Sequence, residues 1–191
     1  MILAIDTSAG QCAVALVGHD CKVVKSERMS RGHAEALMPM VGEVTGGDYS
    51  RVTRIAVCTG PGSFTGLRVG ISAARGLALG LGVPCIGVSR LEAIGFKRTG
   101  QVALKGRGTT LFIQEFEDGK ALSDPRIETQ LPDGTVFGDG SSTGREEDGL
   151  PDPLILAEIA ATREAGAPPA PLYLRDAAAD PPREGPPRML D

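Results

Sequence analysis

Apolar positions open the chain in three short runs, 2–5 (ILAI), 12–17 (CAVALV) and 21–28 (CKVVKSER), separated by DTSAG and GHD. Short apolar or β-branched runs between turn formers predict three consecutive strands joined by tight turns. The first run has no polar face, as a central strand covered on both sides requires. The third alternates Val23 with charged Lys22 and Lys25, which places it near an edge. The period then becomes helical: His33, Leu37, Met40, Val41 and Val44 share one side and Glu35 and Glu43 the other. This predicts a helix over 33–44, which Pro39, beyond the first turn, should kink or divide.

A strand at 54–58, the loop TGPGSFTG, a helix over 67–81 and a strand at 84–88 then make a strand, helix, parallel strand unit. Ser89 followed by Glu92 fits a capping box that opens a short helix. Beyond residue 100 the signals thin: LFIQEF as a strand, EDGK as a turn, TVFGDGSS as a strand running into a glycine loop, and a helix over 154–163. Seven prolines between 168 and 187 end the pattern, and only PLYLR there looks able to dock. No repeat of solenoid period is present. The division this suggests is 1–98, 99–166 and a proline-rich acidic tail, 167–191.

At 191 residues the chain is one large domain or two small ones. Hydrophobic residues make up 41% and aromatic ones 4%, without tryptophan, so the core must be built from Ala, Val, Leu and Ile. The net charge of −4 is a poor footprint for gripping a polyphosphate unaided, and any nucleic acid is expected to be held through a partner. The acidity lies at the end: residues 145–191 carry 5 basic against 10 acidic side chains, and the rest 15 against 14. Cys12, Cys21, Cys58 and Cys85 stand far apart, without a CxxC pair, as buried reduced thiols would. MILAIDTS lacks the basic region of a signal peptide, and the most apolar stretch, 71–83, is interrupted by Arg75 and too short to span a bilayer. The expectation is a cytoplasmic chain without a membrane segment.

Candidate chemistry lies first at Asp6, Thr7 and Ser8, where strand one turns into strand two. A carboxylate there could hold hydrated Mg²⁺ and the hydroxyls a phosphate; the same residues equally fit an Asx or ST turn bonded to its own backbone. Gly60, Pro61, Gly62, Ser63, Phe64, Thr65 and Gly66 form a loop between strand and helix. It could present backbone donors to an anion, but matches neither nucleotide-loop motif. In the structural alternative Ser63 or Thr65 caps the helix and Phe64 staples the loop to the core. His19 and His33 do not make a metal pair, and Ser63 lacks the GxSxG context of a nucleophile. No self-contained catalytic set emerges.

The helix after the loop is unusually small-sided: Gly66, Gly70, Ser72, Ala73, Ala74, Gly76, Ala78 and Gly80. Interior glycines cost about 1 kcal/mol each relative to alanine, so close packing must recover that. A face packed tightly against the helix at 33–44 is expected, with Leu67, Ile71, Ala74, Ala78 and Leu81 toward the sheet. The opposite side, with Leu37, Met38 and Met40, is then available to another subunit; packing within the chain alone is the alternative.

ILAIDTS, SRGHAEALMP, the run from Thr59 to Ala93 containing GPGSFTGLR and a small-residue helix, and PLYLR together resemble the TsaB/YeaZ family. These are bacterial accessory proteins of threonylcarbamoyladenosine-tRNA biosynthesis. The resemblance is close over residues 1–95 and fragmentary beyond. It implies an α/β, actin-like (ribonuclease H-like) fold of two duplicated subdomains, mixed sheets flanked by helices, with the second subdomain reduced. It also implies a non-catalytic paralogue and scaffold of the transferase subunit (TsaD-like), joined by a small ATPase (TsaE-like). That complex modifies N6 of adenosine 37 in tRNAs reading codons that begin with A. On this reading the chain alone binds no cofactor or metal, ATP and a metal sit on the partners, and tRNA is met only through the complex. Asp6, Thr7 and Ser8 become remnants of a phosphate loop. The two helices become the interface with the transferase, or with a second copy when the chain is alone, through His33, Leu37, Met38, Met40, Val41, Gly70, Ala73, Ala74 and Leu77. The chain departs from the family where Lys105, Gly106, Arg107 and Gly108 replace an acidic-Ala-Arg-Arg run, in a short link between Val44 and Arg54, and in its compact end. The rival reading is an autonomous sugar-kinase-like ATPase or phosphotransferase, for which Asp139 is the candidate second carboxylate.

Overall fold

The structure, a computed structural model, describes residues 1–174. Five strands make the first sheet: β1 (Ile2–Asp6), β2 (Gln11–Val17), β3 (Lys22–Arg28), β4 (Arg54–Cys58) and β5 (Cys85–Val88). Their order is β3-β2-β1-β4-β5, with β1, β2 and β3 successively antiparallel and β1, β4 and β5 parallel. The apolar run at 2–5 is thus the central strand and the charged run an edge, as the patterning requires.

Alternation along these strands sorts the core into two layers. Leu3, Ile5, Val14, Leu16, Ile55 and Val57 face helices α1 (His33–Thr45) and α2 (Phe64–Leu81). Ala4, Ala15, Ala56 and Cys58 face α4 (Pro153–Thr162), where small residues let a short helix lie close to the sheet. Asp152 caps α4, its carboxylate accepting from the Leu154 N–H, and Arg54 donates to the carbonyls of Ala160 and Arg163 at the other end. Between the sheets lies α3 (Arg90–Gly95), opened by the expected Ser89–Glu92 capping box.

The second sheet contains β6 (Gly100–Lys105), β7 (Leu111–Glu117), β8 (Lys120–Ala121), β9 (Arg126–Glu128) and β10 (Val136–Phe137), in order β10-β6-β7-β8, with β9 also on β7. Leu91 and Ile94 of α3 pack on its Val102, Leu104 and Phe116. Gly95 gives Phe116 its place: a Cβ there would lie 2.7 Å from the ring. The two mixed sheets with flanking helices are the expected α/β architecture. Strands β8 and β9 were not expected; two or three residues pinned to a neighbour carry no periodicity of their own.

Three expectations are corrected. Pro39 does not divide α1, which runs from His33 to Thr45 with Pro39 on its exposed side, where the ring meets no core packing. Helix α2 starts three residues early, at Phe64, because Ser63 caps it and accepts from the Gly66 N–H. The close approach that its glycines allow is to the β1–β2 turn and not to α1. A Cβ on Gly62 would lie 2.0 Å from the Ser8 carbonyl oxygen, one on Gly66 2.1 Å from that of Thr7, and one on Gly70 2.3 Å from Thr7 Oγ1. Gly76 and Gly80 face open space. From 175 onward the tail lies outside the described residues.

The two classes of glycine should separate in urea unfolding. Gly66→Ala is expected to lose about 3 kcal/mol or more through overpacking against a carbonyl. Gly76→Ala should gain up to about 1 kcal/mol from helix propensity. Equal effects would contradict the packing described.

Candidate functional site

At the carboxyl end of the central strand Asp6 is fully buried. Its Oδ1 accepts from the Ser8 N–H (2.9 Å) and Ser8 Oγ (2.6 Å), and its Oδ2 from Gln11 Nε2 (2.9 Å). That is an Asx turn, the structural alternative the sequence left open. Thr7 Oγ1 donates to the Gly66 carbonyl (2.7 Å), and the Ser63 N–H to the Ser8 carbonyl (2.8 Å), so turn and loop are stitched together. The carboxylate and hydroxyls that might have met a metal or phosphate are engaged within the chain. Beside them burial, reinforced by the Asp6 carboxylate, pushes the Cys58 thiol well up; burial likewise raises Cys12 and Cys85 to about 11, which holds them as neutral thiols. All four cysteines are free.

Across the loop stands Arg90, the first residue of α3, almost fully buried. Its backbone N–H donates to the Gly60 carbonyl (2.6 Å) and its Nε to the Gly149 carbonyl (2.5 Å). Its terminal nitrogens make 3.4 Å contacts to the Pro61 carbonyl and Asp139 Oδ2, while Asp139 Oδ1 accepts from the Lys105 N–H (3.0 Å). One buried guanidinium thereby joins the glycine loop to the second sheet. Between the sheets it borders a cavity of about 500 Å³ that is also lined by His33, Ser63, Lys105, Arg107 and Glu146.

The outer face of α1 and α2 is of another kind. Leu79 is 86% exposed and Met38 42%; Arg68, Ser72, Arg75, Gly76 and Gly80 are exposed on α2 as well. At its head Phe64, 50% exposed, stacks on Tyr173 with centroids 5.5 Å apart, and the Arg68 guanidinium lies 3.8 Å from the Phe64 centroid. Phe64 is therefore no staple to the core; its ring turns outward because the capping geometry at Ser63 points the first helical residue away from the sheet.

The family profile TsaD, tRNA N6-adenosine threonylcarbamoyltransferase, matches residues 23–131, more than half of the chain. The chain belongs to this family and is TsaB/YeaZ-like. The tRNA threonylcarbamoyladenosine biosynthesis protein TsaB of Escherichia coli is 43% identical over 93 residues, 47% of this chain and 40% of that protein. TsaB of Haemophilus influenzae is 41% identical over 96 residues, 49% of this chain and 41% of that protein. The matched stretch spans about two fifths of these relatives. YeaZ from Pseudomonas aeruginosa superposes with a TM-score of 0.71 at 25% identity, over 91% of this chain and 99% of that one.

For a TsaB/YeaZ-like chain the expected interface set needs correction. Leu37, Met40, Val41, Gly70 and Ala74 are core residues of the inward stripes of α1 and α2, and His33 is buried with Nε2 3.3 Å from the Ala9 carbonyl. Helical spacing gave the right faces but cannot say which of two apolar sides a sheet will cover. Met38 is exposed, and Ala73 and Leu77 are partly so. Arg90 was missed: Glu92, two residues on, is committed to the capping box, so the one cation of α3 needs an acceptor from elsewhere in the chain. Asp139, the candidate second carboxylate, is that acceptor.

Breaking a buried pair leaves the partner uncompensated. Arg90→Met should cost about 3 kcal/mol or more in chemical unfolding. A loss under about 1 kcal/mol would remove Arg90 as the tie between the loop and the second sheet.

Proposed function

We propose that this chain acts in tRNA threonylcarbamoyladenosine biosynthesis, as the TsaB relatives are named to do, and that it does so as a non-catalytic scaffold. The observation that carries the reading is the outward side of the two helices: Met38 on α1 and Leu79 on α2 are exposed, and Gly42, Gly76 and Gly80 meet nothing within 4 Å. Isolated large apolar side chains on small-sided helices suit close packing against another helix pair. The partner in this reading is the TsaD-like transferase subunit, with a small TsaE-like ATPase joining the assembly. A second copy of the chain competes for the same face when the transferase is absent. ATP and metal belong to the partners and tRNA enters through the assembly, in the cytoplasm. The consumption of Asp6, Thr7, Ser8 and Asp139 in internal contacts speaks for a scaffold over an autonomous phosphotransferase. Among the described residues no helix is long and apolar enough to cross a membrane.

Contact residues in this reading are Met38, Ala73, Leu77, Leu79 and the open Gly76. Substituting Met38→Glu and Leu79→Glu together leaves the core untouched, so the variant should fold normally. Its capture of the transferase subunit should fall at least about tenfold, and reconstituted tRNA modification with it. Unchanged capture, or full modification with this chain omitted, would contradict the proposal.

A further inference from the structure

We propose that residues 175–182, which follow directly on the described chain, fold back along the outer side of α2 and compete with the partner for it. Asp176 and Asp180 pair with Arg68 and Arg75, and Pro181 and Pro182 enter the apolar groove beside Leu79. The placement of this segment stands by itself; its effect on docking rests on the reading above.

The groove lies at the carboxyl-terminal end of α2 and measures about 560 Å³. Leu79, Val83, Pro84, Ala165 and Pro168 line it, and Arg75 is its one charged side chain. Gly76 and Gly82 leave it open, since a Cβ on either would meet nothing within 4 Å. Proline suits an aliphatic groove of this kind, because it has no N–H to strip of water.

The described chain ends beside the other end of the same helix. The Leu172 N–H donates to the Thr59 carbonyl (2.8 Å), while Tyr173 stacks on Phe64, the first residue of α2, and its hydroxyl accepts from Arg68 Nε (3.3 Å). From Phe64 to Leu79 the helix advances about 22 Å, at about 1.5 Å per residue. An extended, proline-type chain covers that in about seven residues at about 3.1 Å each, which carries it from Leu174 to Pro181.

The charges along the way fall in step. Arg68 and Arg75 are exposed on one side of α2, about 10 Å apart along its axis, and form no ion pair among the described residues. Asp176 and Asp180 are the only charged residues between Arg175 and Arg183, and an extended chain sets them about 12 Å apart. Exposed ion pairs contribute little each, so this cover is weak: it lowers capture of the transferase severalfold without preventing it.

Carbodiimide coupling of the full chain carrying Arg75→Lys tests the placement, since the reagent joins an amine only to a carboxylate in contact with it. A link from position 75 to Asp176 or Asp180 is expected, with a yield that about tenfold dilution of the protein leaves unchanged. Lys120, exposed on β8 of the second sheet, should give no link to the segment. The placement is overturned if position 75 gives no such link, if Lys120 links equally well, or if the yield falls on dilution, which would assign the cover to a second copy. For the effect on docking, Asp176→Asn/Asp180→Asn alters no described residue and should raise capture of the transferase subunit at least about threefold. Unchanged capture in that variant, with Met38→Glu/Leu79→Glu still lowering it, overturns the competition alone. Capture indifferent to both pairs of substitutions overturns the docking reading beneath it.

Discussion

Everything in the first layer depends on how closely the loop and helix after β4 approach the turn after β1. Three glycines at spacing four, 62, 66 and 70, put backbone where side chains would stand, with the Thr7 and Ser8 carbonyls and the Thr7 hydroxyl filling the space. The contact is stitched by the Thr7 hydroxyl to Gly66 and by the Ser63 N–H to Ser8. Glycine's helix penalty, about 1 kcal/mol per position, is offset there by hydrogen bonds and contacts that a Cβ would forbid.

Two consequences follow for function. Held this way, α2 turns Leu67, Ile71, Ala74 and Ala78 into the sheet and leaves Arg68, Ser72, Arg75 and Leu79 outside as one continuous ridge. The turn that elsewhere would be free for ligand chemistry becomes a structural knot, with Asp6 and Ser8 facing each other. Arg90 extends the same logic to the second sheet, since it grips the glycine loop through the carbonyls of Gly60 and Pro61 while facing Asp139. Loop, turn and inter-sheet cavity are therefore one mechanical unit, and the helix ridge is positioned by it.

Much of this was legible in the sequence. Period-two and helical patterns placed β1 to β5, α1, α2 and α4 to within a few residues, because each buries a clear apolar set. The capping box at Ser89 was readable because one side chain meets one local backbone donor, whereas for α2 the sequence left Ser63 and Thr65 as alternatives and Ser63 is the cap. What patterning could not supply was partner identity over long distance. Glycines announce a close approach without saying to what, and α1 was the wrong guess where Thr7, some sixty positions away, was the answer. For the same reason Leu37, Met40 and Val41 were assigned to a partner and belong to the core. Strands β8 and β9 exist only through pairing with β7, and the stacking of Phe64 on Tyr173 joins it to the far end of the described chain.

The central claim is that the ridge of α1 and α2 is the working surface. Hydroxyl-radical footprinting of the full chain, alone and with the TsaD-like transferase subunit, tests it side chain by side chain. Oxidation of Met38, Phe64 and Leu79 should fall on adding the transferase, while Phe112 in the cavity wall keeps its rate. Protection confined to the cavity, or no protection at a concentration where the two proteins co-migrate, would contradict the account.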